Sequence, residues 1–217
     1  MNKLIFFTIL LISNFLYAGE WEIDCPKDIL NAGNCASYKE DFLLKKYPYL
    51  ISRENGSLII NSKRKQVALK NGEEFYYAIG YIPQAELVLV RIQYWEGNSH
   101  YVIDTKSGGK WEINGFPAFN TSFTKFVTTD YDLEAQYSPN NLGVFIRNGV
   151  WHKEYYLSPP SWGASDPVWV NDELIHFKKV TMSSSTFENK YEDFSLYYSD
   201  GNWWLSPLNK AKQAGTR

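Results

Sequence analysis

At 217 residues with a formal net charge of −2, the chain is long enough for one domain with a substantial core. It lacks the basic excess that nucleic-acid binding demands, and nucleic acid is excluded as a partner. Aromatics reach 17%, with 16 Tyr, 13 Phe and 8 Trp; strands favour such side chains and large rings fill cores, so the composition points to β structure.

The first 18 residues have the anatomy of a secretory signal peptide: Lys3 supplies the positive start, residues 4–16 are uncharged and largely apolar, and Ala18 is small at the cleavage point. That run is short for a bilayer core of about 30 Å, so no stable membrane insertion is expected after cleavage; an uncleaved anchor is the alternative. Gly19 and Glu20 stand where a lipoprotein would need Cys. The expected location is the periplasm or outside the cell. Cys25 and Cys35 follow closely, and in an oxidising compartment they are expected to form a disulfide. No histidine lies near enough to complete a zinc site with them.

Ser37-Tyr38-Lys39-Glu40 has the form of a capping box, predicting a short helix from about Tyr38 to Lys46 that stops before Pro48. Residues 19–47 thus read as a disulfide loop and helical cap, 48–208 as a β-repeat domain and 209–217 as a flexible tail. Strands are predicted at 57–61, 66–70, 86–94, 123–128, 142–147, 173–180 and 194–199. Residues 86–94 open with a continuous apolar run, as a strand buried on both faces would. Turn signals at Asn55-Gly56, Asn71-Gly72, Asn148-Gly149 and Asp200-Gly201 separate the segments.

A repeat runs through this region. Gly109-Lys110-Trp111, Gly149-Val150-Trp151 and Gly201-Asn202-Trp203 share a turn glycine, one residue and a Trp, and Gly72-Glu73-Glu74-Phe75 reads as a degenerate fourth copy. The mean spacing of about 43 residues suits a four-stranded propeller blade. Residues 109–127 resemble the strand-turn-strand unit of TolB-like propellers, with Phe119-Asn120-Thr121-Ser122 in place of their Ser-Pro-Asp-Gly turn. Tyr94-Trp95-Glu96-Gly97, Asp132-Leu133-Glu134-Ala135, Tyr137-Ser138-Pro139-Asn140 and residues 162–167 are similar to stretches of uncharacterised exported bacterial proteins. The resemblance implies a mainly β fold, a four-bladed or incomplete propeller with a short N-terminal helix, and a twisted β-sandwich is the alternative. It implies no activity, since propellers host many.

No motif for catalysis stands out. There is no Gly-x-Ser-x-Gly elbow and no His-Glu-x-x-His, and Gly108-Gly109-Lys110 reads as a hairpin turn rather than a phosphate loop. His100, His152 and His176 are isolated in sequence, and no catalytic residue, metal or cofactor is expected. Asp130, Asp132 and Glu134 alternate, so on a strand they would share one face. Two aromatic and acidic clusters are the candidates for binding: Tyr94, Trp95 and Glu96 at a strand end, and Trp162, Asp166 and Trp169 about a Pro/Gly-rich loop, with Asp132 and Glu134 beside them. Charge is uneven, with eight Lys or Arg against three acids over 39–70 and seven acids against three Lys over 166–200. The latter could steer a basic partner. These features lead to an exported envelope protein that binds another protein through its loop face, as an inhibitor or immunity protein would. A glycan-binding or glycan-acting protein and a scaffold in an envelope complex are the alternatives.

Overall fold

A computed structural model of the chain describes residues 23–208. The expected signal peptide (1–18) and tail (209–217) lie outside the described residues. The described part is mainly β: one helix followed by four small antiparallel sheets in chain order. The helix, α1, spans Ala32–Lys46. It starts six residues before the expected point, because Asn31 rather than Ser37 caps it, accepting from the N–H groups of Gly33 and Asn34. Glu40 is instead drawn away to Arg53, so the capping box does not form. Cys25 is joined to Cys35 on the first turns of α1, as the sequence led one to expect. Among the described residues no helix is long and apolar enough to cross a membrane.

The first sheet has three strands, β1 (Ile51–Glu54), β2 (Ser57–Asn61) and β3 (Gln66–Lys70). The second contains β4 (Phe75–Ile82), β5 (Leu87–Gln93), β6 (Asn98–Asp104) and β7 (Lys110–Ile113). The third contains β8 (Ala118–Phe119), β9 (Lys125–Asp130), β10 (Asn141–Asn148) and β11 (Val150–Leu157). The fourth contains β12 (Gly163–Asn171), β13 (Leu174–Met182), β14 (Asn189–Ser199) and β15 (Asn202–Pro207). Each is a meander of sequential neighbours; Asn55-Gly56 and Asp200-Gly201 form two-residue hairpin turns with both residues at positive φ, and Gly149, also at positive φ, alone separates β10 from β11.

Three apolar cores lie between consecutive sheets. Leu58, Ile60 and Leu69 of the first sheet meet Ala78, Val88 and Val90 of the second, with Leu43 of α1 closing one end. Leu87, Leu89 and Val102 meet Phe126, Phe145 and Trp151 of the third sheet. Val127, Leu142 and Val144 meet Ile175, Phe177, Leu196 and Trp203 of the fourth. The unbroken apolar run in β5 follows from this arrangement: Val88 and Val90 face one core while Leu87 and Leu89 face the other. Alternation gives each side of the strand its own core. Among the described residues no core cluster joins the first sheet to the last.

The Trp repeat falls on equivalent positions. Trp111, Trp151 and Trp203 are each the second residue of the last strand in their sheet. Trp151 donates its indole N–H back to the carbonyl of Ala85, in the turn between β4 and β5, at 2.9 Å. Trp203 donates back to Glu154 Oε2 on β11 at 2.8 Å. Each ring therefore fills an inter-sheet core while its polar edge grips the preceding sheet. The fourth copy was misplaced: Phe75 opens a first strand, and the equivalent residue of the first sheet is Val67 on β3. The turn between β8 and β9 is built on buried Asn120, whose Oδ1 accepts from the N–H groups of Thr124 and Lys125.

Candidate functional site

A cleft of about 520 Å³ opens where the second and third sheets meet at one end. Its walls come from the β5–β6 turn, the start of β6, Glu112 of β7, the loop after β7, and the loop from β9 to β10. Two glycines shape it. Gly97 turns the chain at φ +86°, and Gly115, at φ +76°, lies so close to the Thr129 carbonyl that a Cβ would collide with it. That close approach brings the loop of one sheet against the last residues of β9 in the next.

The β9–β10 loop is held by one carboxylate. Asp132 accepts from the N–H groups of Ala135 at 3.1 Å, Tyr137 at 2.6 Å and Ser138 at 3.1 Å, while its own N–H donates to Asn140 Oδ1 at 2.9 Å. Burial pushes the Asp132 carboxyl up, but the backbone donors outweigh it and hold the group below its ordinary value. Its neighbour Asp130 is raised, by burial first and by the charge of Asp132 in addition, although the Ser138 hydroxyl donates to it at 2.8 Å. Across the cleft, Ser99 Oγ donates to Glu112 Oε1 at 2.8 Å, and the Tyr94 hydroxyl lies 2.9 Å from Ser99 Oγ and 3.2 Å from Glu112 Oε1. Burial raises the Tyr94 hydroxyl, and the Ser99 contact works against it.

His100 completes this wall. Only 4% of it is exposed, and its ring lies 4.7 Å from that of Phe116. Neither ring nitrogen has a hydrogen-bond partner. Burial, helped by the charge of Arg91 on the adjoining strand, lowers its pKa to about 4, so the imidazole is neutral at pH 7. Two of the lining aromatics are exposed, Phe116 at 55% and Tyr137 at 66%, and Trp95, in the turn between the lining residues Tyr94 and Glu96, is 96% exposed. Glu96, Glu112, Asp130 and Asp132 put four carboxylates on the lining, which carries no Lys or Arg. Among the described residues none of the four is in an ion pair, and no group of three or more His, Cys, Asp or Glu is placed to hold a metal.

The cleft therefore unites Tyr94, Glu96 and Asp132, with Trp95 beside it. Glu134 is exposed on the same loop but does not line the cleft. Asp130, Asp132 and Glu134 do not lie on one strand, because β9 ends at Asp130 and the capped loop begins there. Of the second aromatic cluster, Trp162 lies in the loop before β12. Asp166 and Trp169 belong to β12, and Trp169 donates its indole N–H to the Ala118 carbonyl at 2.9 Å and meets Trp203 edge-on. Trp162 packs on the same core, with the Lys179 ammonium 5.4 Å from its ring centre. Asp166 is exposed at a bulge in β12, where its φ is +52°. His100, Glu112 and Phe116 were not singled out from sequence as site residues; only strand pairing brings them to the cleft, with His100 opposite Arg91 on one side and Ile113 on the other.

No protein-family model, curated protein or solved structure matches this chain.

Proposed function

We propose that the mature chain is an exported envelope protein that binds another protein through the loops around the cleft between its second and third sheets. The observation that carries this reading is the exposed Trp95 in the turn between Tyr94 and Glu96, next to a concave acidic surface that the exposed rings of Tyr137 and Phe116 line. Aromatic anchors beside a pocket are the commonest source of binding energy in protein interfaces, and exposure of such rings costs solubility unless something covers them. An inhibitor or immunity protein needs no more than a complementary surface of this kind. The Cys25–Cys35 disulfide and the signal-like first 18 residues support an oxidising compartment, periplasmic or secreted. Four successive sheets, with Trp at matching positions in three of them, support a four-bladed, propeller-like repeat as the scaffold.

The test is a photo-cross-linking residue placed at Trp95 and expressed in the native cell envelope. Cross-linking to one protein, absent when the same group replaces exposed Tyr49, is the expected result. Equal labelling from both positions would sink the reading.

A further inference from the structure

The cleft gathers carboxylates that meet hydrogen-bond donors of the protein but no cation: Asp132 takes three backbone N–H groups, Glu112 the Ser99 and Tyr94 hydroxyls, and Asp130 the Ser138 hydroxyl. Four carboxylates line it, no cationic side chain joins them, and none is in an ion pair among the described residues. Ordinary surface carboxylates face open water, where such crowding is screened; here Asp130 is half-buried. Beneath them lies a second unmet demand. His100 is buried on the cleft wall with both ring nitrogens unpartnered, a condition native interiors rarely tolerate. Phe116 covers that ring and is itself more than half exposed. A metal ion would answer the charge, but no set of ligands here is placed to hold one. A neutral sugar would use the hydroxyl and amide groups and leave the carboxylates uncompensated. A planar organic cation answers the charge: it carries several N–H donors for the carboxylates and for the one ring nitrogen of neutral His100 that can accept, and its face stacks on aromatic rings.

We infer, resting on the protein-binding reading above, that the cleft is a receptor for an arginine side chain of the partner, its guanidinium seated among Glu96, Glu112 and Asp130 and flanked by Phe116 and Tyr137. Opening the path to His100 requires Phe116 to turn off the imidazole.

The test uses the mature protein and a fluorescein-labelled peptide alternating Arg with Gly and Ser, against the same peptide with citrulline or Lys in place of Arg. Binding is read by anisotropy at about 0.15 M salt and by the imidazole 15N shifts of His100. The expected result is that the Arg peptide binds, that citrulline weakens it by about tenfold or more, and that Glu96→Gln and Glu112→Gln each weaken it by a similar factor. Glu96 is exposed, so its variant tests the cleft without disturbing the fold. Equal binding of the citrulline peptide, or of the Lys peptide, overturns the guanidinium assignment. So does a peptidoglycan disaccharide that shifts the His100 resonances when the Arg peptide does not. A Trp95 cross-link to a partner that persists undiminished in the Glu96→Gln, Glu112→Gln double variant overturns this inference while leaving the protein-binding reading intact.

Discussion

Arg53 on β1 holds both carboxylate oxygens of Glu40 on α1, with Nε 2.9 Å from Oε1 and Nη2 2.8 Å from Oε2. The same Glu40 accepts from the Ala78 N–H at 2.9 Å, and Arg53 also donates to the Tyr76 carbonyl. One ion pair thus joins the helix to two sheets. Glu40→Ala leaves a guanidinium and a backbone N–H without their acceptor, and is expected to cost about 3 kcal/mol in urea unfolding. The Glu40→Leu, Arg53→Met pair should cost less than the sum of its single changes, since no charge is then stranded. Additive losses would show that the two residues act separately.

Trp151 tests the tie between the second and third sheets. Its ring stands among Phe126, Phe119 and the β5 side chains, and its N–H reaches back to Ala85. Trp151→Phe keeps an aromatic but leaves the Ala85 carbonyl unpaired, for a loss of about 1–2 kcal/mol. Trp151→Ala adds a cavity and should cost about 3–5 kcal/mol. Equal losses for the two variants would mean that the hydrogen bond, and not the packing, carries the contact.

What could be read in the residues divides along physical lines. The β5 run, the Asn-Gly turns and the Gly-x-Trp units are local signals, and each sits where a strand or turn required it. Strand β12 was missed because Gly163 and Pro167 read as loop; the ladder skips from Ser165 to Val168, and the bulge there accommodates a residue with no N–H to give. The helix start was misread because Ser37 and Glu40 fit a cap by spacing, and the competing attraction of Arg53 lies 13 residues away. The cleft was half legible. Tyr94, Glu96 and Asp132 announce themselves as polar and aromatic groups beside turn glycines or prolines, whereas His100 and Glu112 are ordinary strand residues until the sheet brings Ser99 and Tyr94 against them. Trp169 could from sequence fill a core or line a binding surface, and its indole N–H is taken by the Ala118 carbonyl, a partner 51 residues away in the chain.

The disulfide joins Cys25 to Cys35, ten positions apart in the chain, and anchors the segment before α1 to the helix. In the chain-entropy model such a closure contributes about 3 kcal/mol. Reduction, or Cys25→Ser with Cys35→Ser, should lower stability by up to that amount and leave far-UV circular dichroism unchanged in the cold. A double variant with wild-type stability would show that the closed loop is already ordered without the bond.

Asp132 holds the β9–β10 loop through N–H groups of its own loop, so its removal acts locally. Asp132→Ala frees the amides of Ala135, Tyr137 and Ser138, which bond to no other acceptor among the described residues. Hydrogen exchange at those amides should accelerate by about tenfold or more, because hydrogen bonds to a charged acceptor contribute about 1.5–3 kcal/mol each. The exchange of Val144 and Leu142 in β10 should stay unchanged. Slow exchange in the variant loop would mean that Asn140 and Pro139 suffice to hold it.

His100 sets an acid limit on stability. Its folded pKa, about 4, lies below the ordinary 6.5, so the unfolded chain binds the extra proton between those values. The contribution is complete above about pH 6.5 and falls as pH drops toward 4. Between pH 7 and pH 5 the loss attributable to this group is about 2 kcal/mol. Asp130 opposes it, since a carboxyl raised in the folded state favours folding as it protonates, while Asp132, held low, works in the same sense as His100 at more acid pH. Arg91, the charged residue opposite on β5, stays cationic throughout and shifts the curve without changing its shape. His100→Leu removes the titration and the unpartnered nitrogens together. Urea unfolding of this variant should be nearly flat from pH 7 to pH 5, while the wild type loses stability over the same span. An identical acid loss in both proteins would place the sensitivity elsewhere in the chain.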